Sequence, residues 1–273
     1  MNKKVVLLTG GELRHEFFRK FISNQKGIEV LSSYCEDKKG ALVKIINKEE
    51  SSNDLRMKHL SVRESTEVDF FDLFCSHTED KSNPIFIKKD DINTSKNVNN
   101  IIQLNPDIII SFGCSIIKSK LLETFNGRFM NIHLGLSPYY RGSGTNFWPF
   151  VNDELQFIGT TFMHIDEGID TGKIIHQIRA KINFNDNIHQ IGNRLIKDSF
   201  TECAKLIRNF DVLNDMPQIT SDKHNEKYYR KKDFTEDHLK TAYDNILKYS
   251  IENYLKHKLS VDKEFPIIKN LSI

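Results

Sequence analysis

Three short stretches of this 273-residue chain carry side chains able to do chemistry. The first is Asn131-Ile132-His133, which closes an apolar segment reading FMNIH. Alternation along a strand puts Asn131 and His133 on one face and Ile132 on the other. An amide and an imidazole aimed at one point suit a developing oxyanion: both can donate to it, and the imidazole can also pass a proton. An isolated N-x-H is more often a satisfied structural pair, because buried polar groups find partners whatever their use. The second stretch, Asp166-Glu167-Gly168-Ile169-Asp170-Thr171-Gly172, is a glycine-flanked acidic loop between two apolar segments. Asp170 follows an apolar residue and precedes a Thr-Gly turn, a setting that can hold its carboxylate in a partly closed site, although D-T-G is also a common Asx turn. The third is Thr9-Gly10-Gly11-Glu12, at a turn from strand into helix. Gly10 and Gly11 there can bring backbone N–H groups to a phosphate at a helix N-terminus, or simply serve a tight turn. The GxGxxG spacing is missing, so no dinucleotide site is expected.

Other chemistries fit poorly. The acidic loop lacks the alternating oxygen ligands of a calcium site. His133, His164, His176 and Asp170 show no recognisable zinc-ligand spacing, so no metal is expected. Ser111, Ser115 and Ser137 lack a G-x-S-x-G elbow, and Cys114 after Gly113 has no partner signature, which disfavours covalent hydrolase chemistry. The four cysteines, Cys35, Cys75, Cys114 and Cys203, are widely spaced and read as reduced, buried small hydrophobes.

The elements that must position these residues follow from periodicity. Lys3 to Leu8 reads as a strand, Leu13 to Ile22 as a helix with Phe17, Phe18 and Phe21 at helical spacing, and Ile28 to Ser32 as a second strand. Further strands are expected at Asp107–Phe112, Phe129–His133, Ile158–Ile165 and Lys173–Ile182, with helices at about Ser95–Leu104 and Asn187–Arg208. Strands that are continuously apolar and alternate with helices point to an α/β fold, an open, mostly parallel, Rossmann-like sheet with helices on both faces. Residues 36–80 are charge-dense yet hold Leu55, Leu60, Val68 and Phe71, and are expected to form a helical insertion in a catalytic domain of residues 1–208. Residues 209–273 form a C-terminal extension, expected to be largely helical after Asp233. In open α/β sheets ligands bind beyond the carboxyl ends of the strands, where all three polar stretches fall.

Taken together, the stretch from Asn131 to Gly172 resembles the folate-dependent formyltransferase family. NIHLGLSPYYRG, GTTFMHIDEGIDTG and their order match that family's N-x-H strand end, S-x-x-P-x-Y-R-G-like turn, T-G-x-T strand and D-x-G-x-D-T-G loop. The strong motifs cover about forty residues, and the α/β organisation extends the likeness over 1–208. The resemblance implies 10-formyltetrahydrofolate as formyl donor, a primary amine as acceptor, and Asn131, His133 and Asp170 as catalytic residues. It places the pterin loosely on Ser111-Phe112-Gly113 and on the loop holding Asp166 and Gly168. Arg141, with Gly10 and Gly11, is assigned to acceptor binding or to bracing the loop. The run His133-Leu134-Gly135-Leu136-Ser137 departs from members that carry a serine soon after the histidine. GSGTNFWPF likewise looks nearer the branch acting on nucleotide-linked amino sugars.

Charge bears on the acceptor. With 39 Lys and Arg against 37 Asp and Glu, the formal charge is +2, and residues 221–273 hold eleven basic against nine acidic residues. Neutralising phosphates along a nucleic acid needs a larger cationic surplus, so none is expected as partner. No run approaches the ~18 apolar residues of a membrane span, and the opening KKVVLL is too short for a leader's apolar core, so a cytoplasmic enzyme is expected. The partner expected is a small amine on a nucleotide-linked amino sugar, with a homodimer as the assembly to test. YYRKKDF, at 228–234, reads as a connector with aromatic anchors or as a place where a base stacks and a diphosphate is held.

Overall fold

Val5, Val6, Leu7 and Leu8 are all completely buried. Consecutive residues of a strand achieve that only in a sheet covered on both faces. The computed structural model describes residues 2–37, 55–219 and 226–273, and their strand β1 (Lys3–Thr9) lies in the middle of a seven-stranded sheet. The strands are β2 (Ile28–Glu36), β3 (Pro84–Ile87), β4 (Ile108–Phe112), β5 (Phe129–His133), β7 (Gly159–His164) and β8 (Ile174–Arg179), in the order β3-β2-β1-β4-β5-β7-β8. The first five in that order run parallel, whereas β7 is antiparallel to both β5 and β8. β3 was not legible in advance: its PIFI segment is short and half exposed, as an edge strand permits.

Helices α1 (Leu13–Ser23), α2 (Leu55–His77) and α6 (Ile188–Arg208) cover one face of the sheet. Phe17, Phe18, Phe112 and Phe200 meet there with ring centroids 4.7–5.6 Å apart. Replacing a fully buried phenylalanine in such a cluster by alanine costs about 3–5 kcal/mol. The other face is covered by α3 (Ser95–Leu104) and α4 (Ser119–Thr124). α3 ends on Asn105 in the left-handed conformation, just ahead of Pro106.

α2 is the described part of the expected insertion, residues 38–54 lying outside the described residues. Its Leu60 and Phe71 are buried, but Val68 is exposed. The C-terminal extension carries α7 (Glu236–Leu247) and α8 (Ser250–Glu264), which pack on α6 and on the short helix α5 (Trp148–Val151). It also adds β9 (Lys227–Tyr229), which pairs in parallel with β6 (Tyr140–Gly142) as a second, two-stranded sheet. Tyr229 stacks on Trp148 at 3.9 Å, so the aromatics of YYRKKDF anchor the segment. Among the described residues no helix is long and apolar enough to cross a membrane.

α2, α6 and α7 meet at two histidines. His59 and His189 lie with ring centroids 4.5 Å apart, and His59 Nδ1 is 2.9 Å from the Tyr243 hydroxyl. Burial, with Arg63 adding to it, pushes His59 down to about 4. Burial and the neighbouring His59 push His189 down to about 3. Both rings are therefore neutral in the folded state at pH 7, while an unfolded histidine gains a proton below about 6.5. The stability they contribute is present above that value and is lost as pH falls from about 6.5 towards 4, by of order 3 kcal/mol for each ring. Urea unfolding at pH 7.5 and pH 5.0 is expected to show this loss, and His189→Gln to flatten it; an unchanged pH dependence in the variant contradicts this assignment.

Candidate active site

β5 ends at the carboxyl edge of the sheet, between a parallel neighbour and an antiparallel one, and presents Asn131 and His133 there. Ser111 Oγ, from the paired position on β4, donates to Asn131 Oδ1 at 2.8 Å. That bond fixes the amide so that its NH2 faces away from Ser111. Asn131 Nδ2 has no protein partner among the described residues and is available to a ligand.

His133 is 6% exposed and held at both nitrogens. Nδ1 lies 3.1 Å from Asp170 Oδ1, and Nε2 lies 3.1 Å from the Tyr140 carbonyl oxygen. Both neighbours are acceptors, so a singly protonated imidazole donates to one of them and a doubly protonated ring to both. Gly135 makes room for the ring, since a Cβ there would sit 2.6 Å from His133 Nε2. The run after His133 is pinned from β7 and β8. Thr161 Oγ1 donates to the Gly135 carbonyl and accepts from the Ser137 amide, and Gln177 Nε2 donates to the Ser137 carbonyl at 2.7 Å. Gly135, two residues after His133, is thus the residue that admits the imidazole.

Asp170 reaches His133 from the loop between β7 and β8. It adopts φ +53, and its Oδ2 accepts from the Gly142 amide at 3.0 Å. Burial opposes the charge on Asp170, but the His133 hydrogen bond and charge, the Gly142 N–H and the Arg141 guanidinium outweigh it and hold the carboxyl below the usual range. Asp166 organises the loop, its Oδ1 accepting from the Gly168 amide and the Thr171 hydroxyl. Gly168 and Gly172 leave no room for side chains, since a Cβ would lie 1.9 Å from Thr171 Oγ1 or 1.8 Å from the His164 carbonyl.

Two cavities open at this point. The larger, about 750 Å³, is bordered by Asn131, His133 and Asp170, by α2, by α6 and by residues 230–234. The smaller, about 160 Å³, is lined by Ser111, Gly113, Ser115, Asp166, Gly168 and their neighbours. Gly113, Cys114, Asn131, Ile169 and Asp170 belong to both. Phe112 borders the larger one and lies at a tilt to His15, their ring centroids 5.0 Å apart. Cys114 is half-buried on the shared wall, unlike Cys35, Cys75 and Cys203, which are buried as expected.

The other expected contacts lie further out. Gly10 and Gly11 do not form the wall of the larger cavity, where Glu12 and His15 stand instead. The Glu12 amide donates to His15 Nδ1 at 3.1 Å, so a side chain meets this helix N-terminus. Arg141 pairs with Glu226 at 3.0 Å and acts on the site through its field on Asp170. Sequence reasoning passed over Arg56, His59 and Arg63 on α2 and His189 and Asn193 on α6, all on the wall of the larger cavity. Their signal was present as polar residues at helical spacing on otherwise apolar faces.

A mostly parallel sheet with two cavities meeting on a polar strand end defines an α/β enzyme. The chain belongs to the formyl transferase family: a sequence model described as "Formyl transferase" matches residues 3–202. The methionyl-tRNA formyltransferase of Thermodesulfovibrio yellowstonii is 37% identical over 94 residues, which are 34% of this chain and 30% of that relative. The chain therefore spans about a third of the length of this curated relative. The sugar N-formyltransferase of Shewanella sp. FDAARGOS_354 superposes with a TM-score of 0.55 at 17% identity, covering 88% of this chain and 86% of that one. The phosphoribosylglycinamide formyltransferase of Anaplasma phagocytophilum gives the same TM-score of 0.55 at 14% identity, covering 85% and 100%. At these identities the likeness shows the fold, the one expected from the sequence.

Gly168 tests how far the loop geometry matters. A displacement of about 1 Å at a catalytic group can cost 10²-fold in rate. Gly168→Ala, which forces Thr171 and hence the loop to move, is expected to lower formyl transfer by about a hundredfold while the melting temperature changes by only a few degrees. Unimpaired turnover in that variant would show that Asp170 tolerates the shift.

Proposed function

We propose that the chain is an N-formyltransferase that moves a formyl group from 10-formyltetrahydrofolate to the primary amine of a small, nucleotide-linked amino sugar. The observation that carries this reading is the shared wall, which lets two ligands meet at Asn131 and Asp170 with His133 beside them. The smaller cavity has room for a heterocyclic head and not for a drug-sized ligand, which takes about 300–1,000 Å³. Its rim fits such a head, since Ser115 Oγ is buried there without a partner. The larger cavity is of small-molecule size, which supports a compact acceptor.

The donor supplies an activated formyl carbon. Asn131 Nδ2, oriented through Ser111, donates to the oxygen that gathers negative charge as the amine adds. His133 Nε2 rests on the Tyr140 carbonyl; released from it, the imidazole takes the proton that the amine loses and returns it to the folate N10 as the bond between that nitrogen and the formyl carbon breaks. Asp170 is a positioning residue for His133: its carboxylate is held ionised by the imidazole and the Gly142 amide, which makes it a weak base and a good anchor. Asp166 and Gly168 shape the donor loop, and Arg141 braces it from the acceptor side.

Tetrahydrofolate release from 10-formyltetrahydrofolate, across nucleotide-linked amino sugars, glycinamide ribonucleotide and charged initiator tRNA, tests the reading. Release is expected with an amino sugar, falling about 10²–10³-fold in kcat in Asn131→Ala. Asp170→Asn is expected to keep KM and to alter the pH profile of kcat. Release with tRNA alone would overturn the acceptor assignment.

A further inference from the structure

Three polar side chains stand in one row across the antiparallel end of the sheet. The register pairs His133 on β5 with Thr161 on β7, and Thr161 with Gln177 on β8. Residues directly opposite in an antiparallel pair project from the same face, so all three side chains point the same way. Thr161 is fully buried and Gln177 is 1% exposed, although both residue types are mostly found at surfaces. β8 is the last strand of the sheet, and its outer edge is met by the C-terminal extension beyond α8. There the Gln177 amide donates to the Ile268 carbonyl at 2.7 Å and the Asn270 amide to His176 Nδ1 at 3.0 Å.

The hydrogen bonds along this row have only one possible direction. The Ile268 N–H can only donate, so Gln177 turns Oε1 towards it, at 3.0 Å. The Ser137 carbonyl can only accept, so it takes Gln177 Nε2, at 2.7 Å. Nε2 also donates to Thr161 Oγ1 at 3.0 Å, and that hydroxyl donates onward to the Gly135 carbonyl at 2.7 Å. One side chain thus spans from the C-terminal extension to the backbone of residues 135–137. That backbone is the seat of the imidazole. The Gly135 amide donates to the His133 carbonyl at 3.0 Å, and a Cβ on Gly135 would lie 2.6 Å from His133 Nε2. Tyr140, whose carbonyl meets Nε2, is tied back to Leu136 through its own amide at 3.1 Å. A buried amide with its partners met resists displacement more than an apolar contact does, because any shift leaves a donor or an acceptor unpaired.

We propose that Gln177 is a positioning residue for His133, tying the segment at Ile268 to the backbone of residues 135–137 and so fixing where the imidazole sits. This rests on His133 acting in the transfer, as read above, and is independent of which amine is the acceptor. When the imidazole leaves the Tyr140 carbonyl to take the proton of the amine, its backbone has to stay in place, and Gln177 keeps it there. An apolar side chain of similar size would cover the sheet edge equally well and would leave residues 135–137 untied.

NMR on the full chain with labelled histidine tests this with no acceptor present. The Cε1–H resonance of His133, assigned by its absence from His133→Asn, is expected to move in Gln177→Leu. Those of His59 and His189, which report on the packing of α2, α6 and α7, are expected to stay. In turnover, tetrahydrofolate release from 10-formyltetrahydrofolate across the same acceptor panel is expected to fall about a hundredfold in kcat and in kcat/KM together, as for a misplaced catalytic group. If Gln177→Leu does not fold, Thr161→Val, which removes the hydroxyl in the middle of the row, is read in the same way, and Thr161→Ser is expected to restore the resonance and most of the turnover. A folded Gln177→Leu whose His133 resonance keeps the wild-type position overturns the assignment, and so does a wild-type kcat in that variant. A displaced resonance in a chain that formylates no amine of the panel supports the placement of His133 by Gln177 and sinks the acceptor reading instead.

Discussion

The contact between His133 and Asp170 is the constraint to which the rest of the site answers. It joins the end of a central strand to a loop two strands away, and the same carboxylate takes the Gly142 amide from a third segment. A buried carboxylate survives only with such partners, because desolvation disfavours its charge. The glycines at 135, 168 and 172 are consequences of this one contact, since each removes a Cβ that would push the imidazole or its loop out of place. Antiparallel β7 serves it too, by pinning residues 135–137 through Thr161.

Much of this arrangement was legible in the chain. Strands buried on both faces announce themselves as unbroken apolar runs, so β1, β4 and β5 could be read directly. Helix α6 could be read from its 3.6-residue period. The loop that delivers Asp170 was visible because glycine and aspartate at fixed offsets have few other uses. Edge strand β3 was not visible, because four half-exposed residues carry no clear period. Nor was the pairing of β6 with β9, which joins segments more than eighty residues apart and depends on Tyr229 finding Trp148. Asn131 and His133 were readable as a pair, but their orientation through Ser111 and Tyr140 is a matter of tertiary contact. Gly10 and Gly11 could be read either as a phosphate contact or as a tight turn, and the side chain of His15 meets that turn.

The larger cavity depends on parts added around the sheet. α2 and the C-terminal extension border it together with Asn131, His133 and Asp170, and they touch each other through Arg56, His59, Phe234 and Tyr243. The neutral histidine pair between them is the kind of packing that fixes a wall without adding charge to it.

The shared wall also governs the order of events. On the proposed reading, donor and acceptor occupy two cavities that share Asn131 and Asp170, so both can be bound at once. The kinetic consequence of that reading is a ternary complex of enzyme, donor and acceptor.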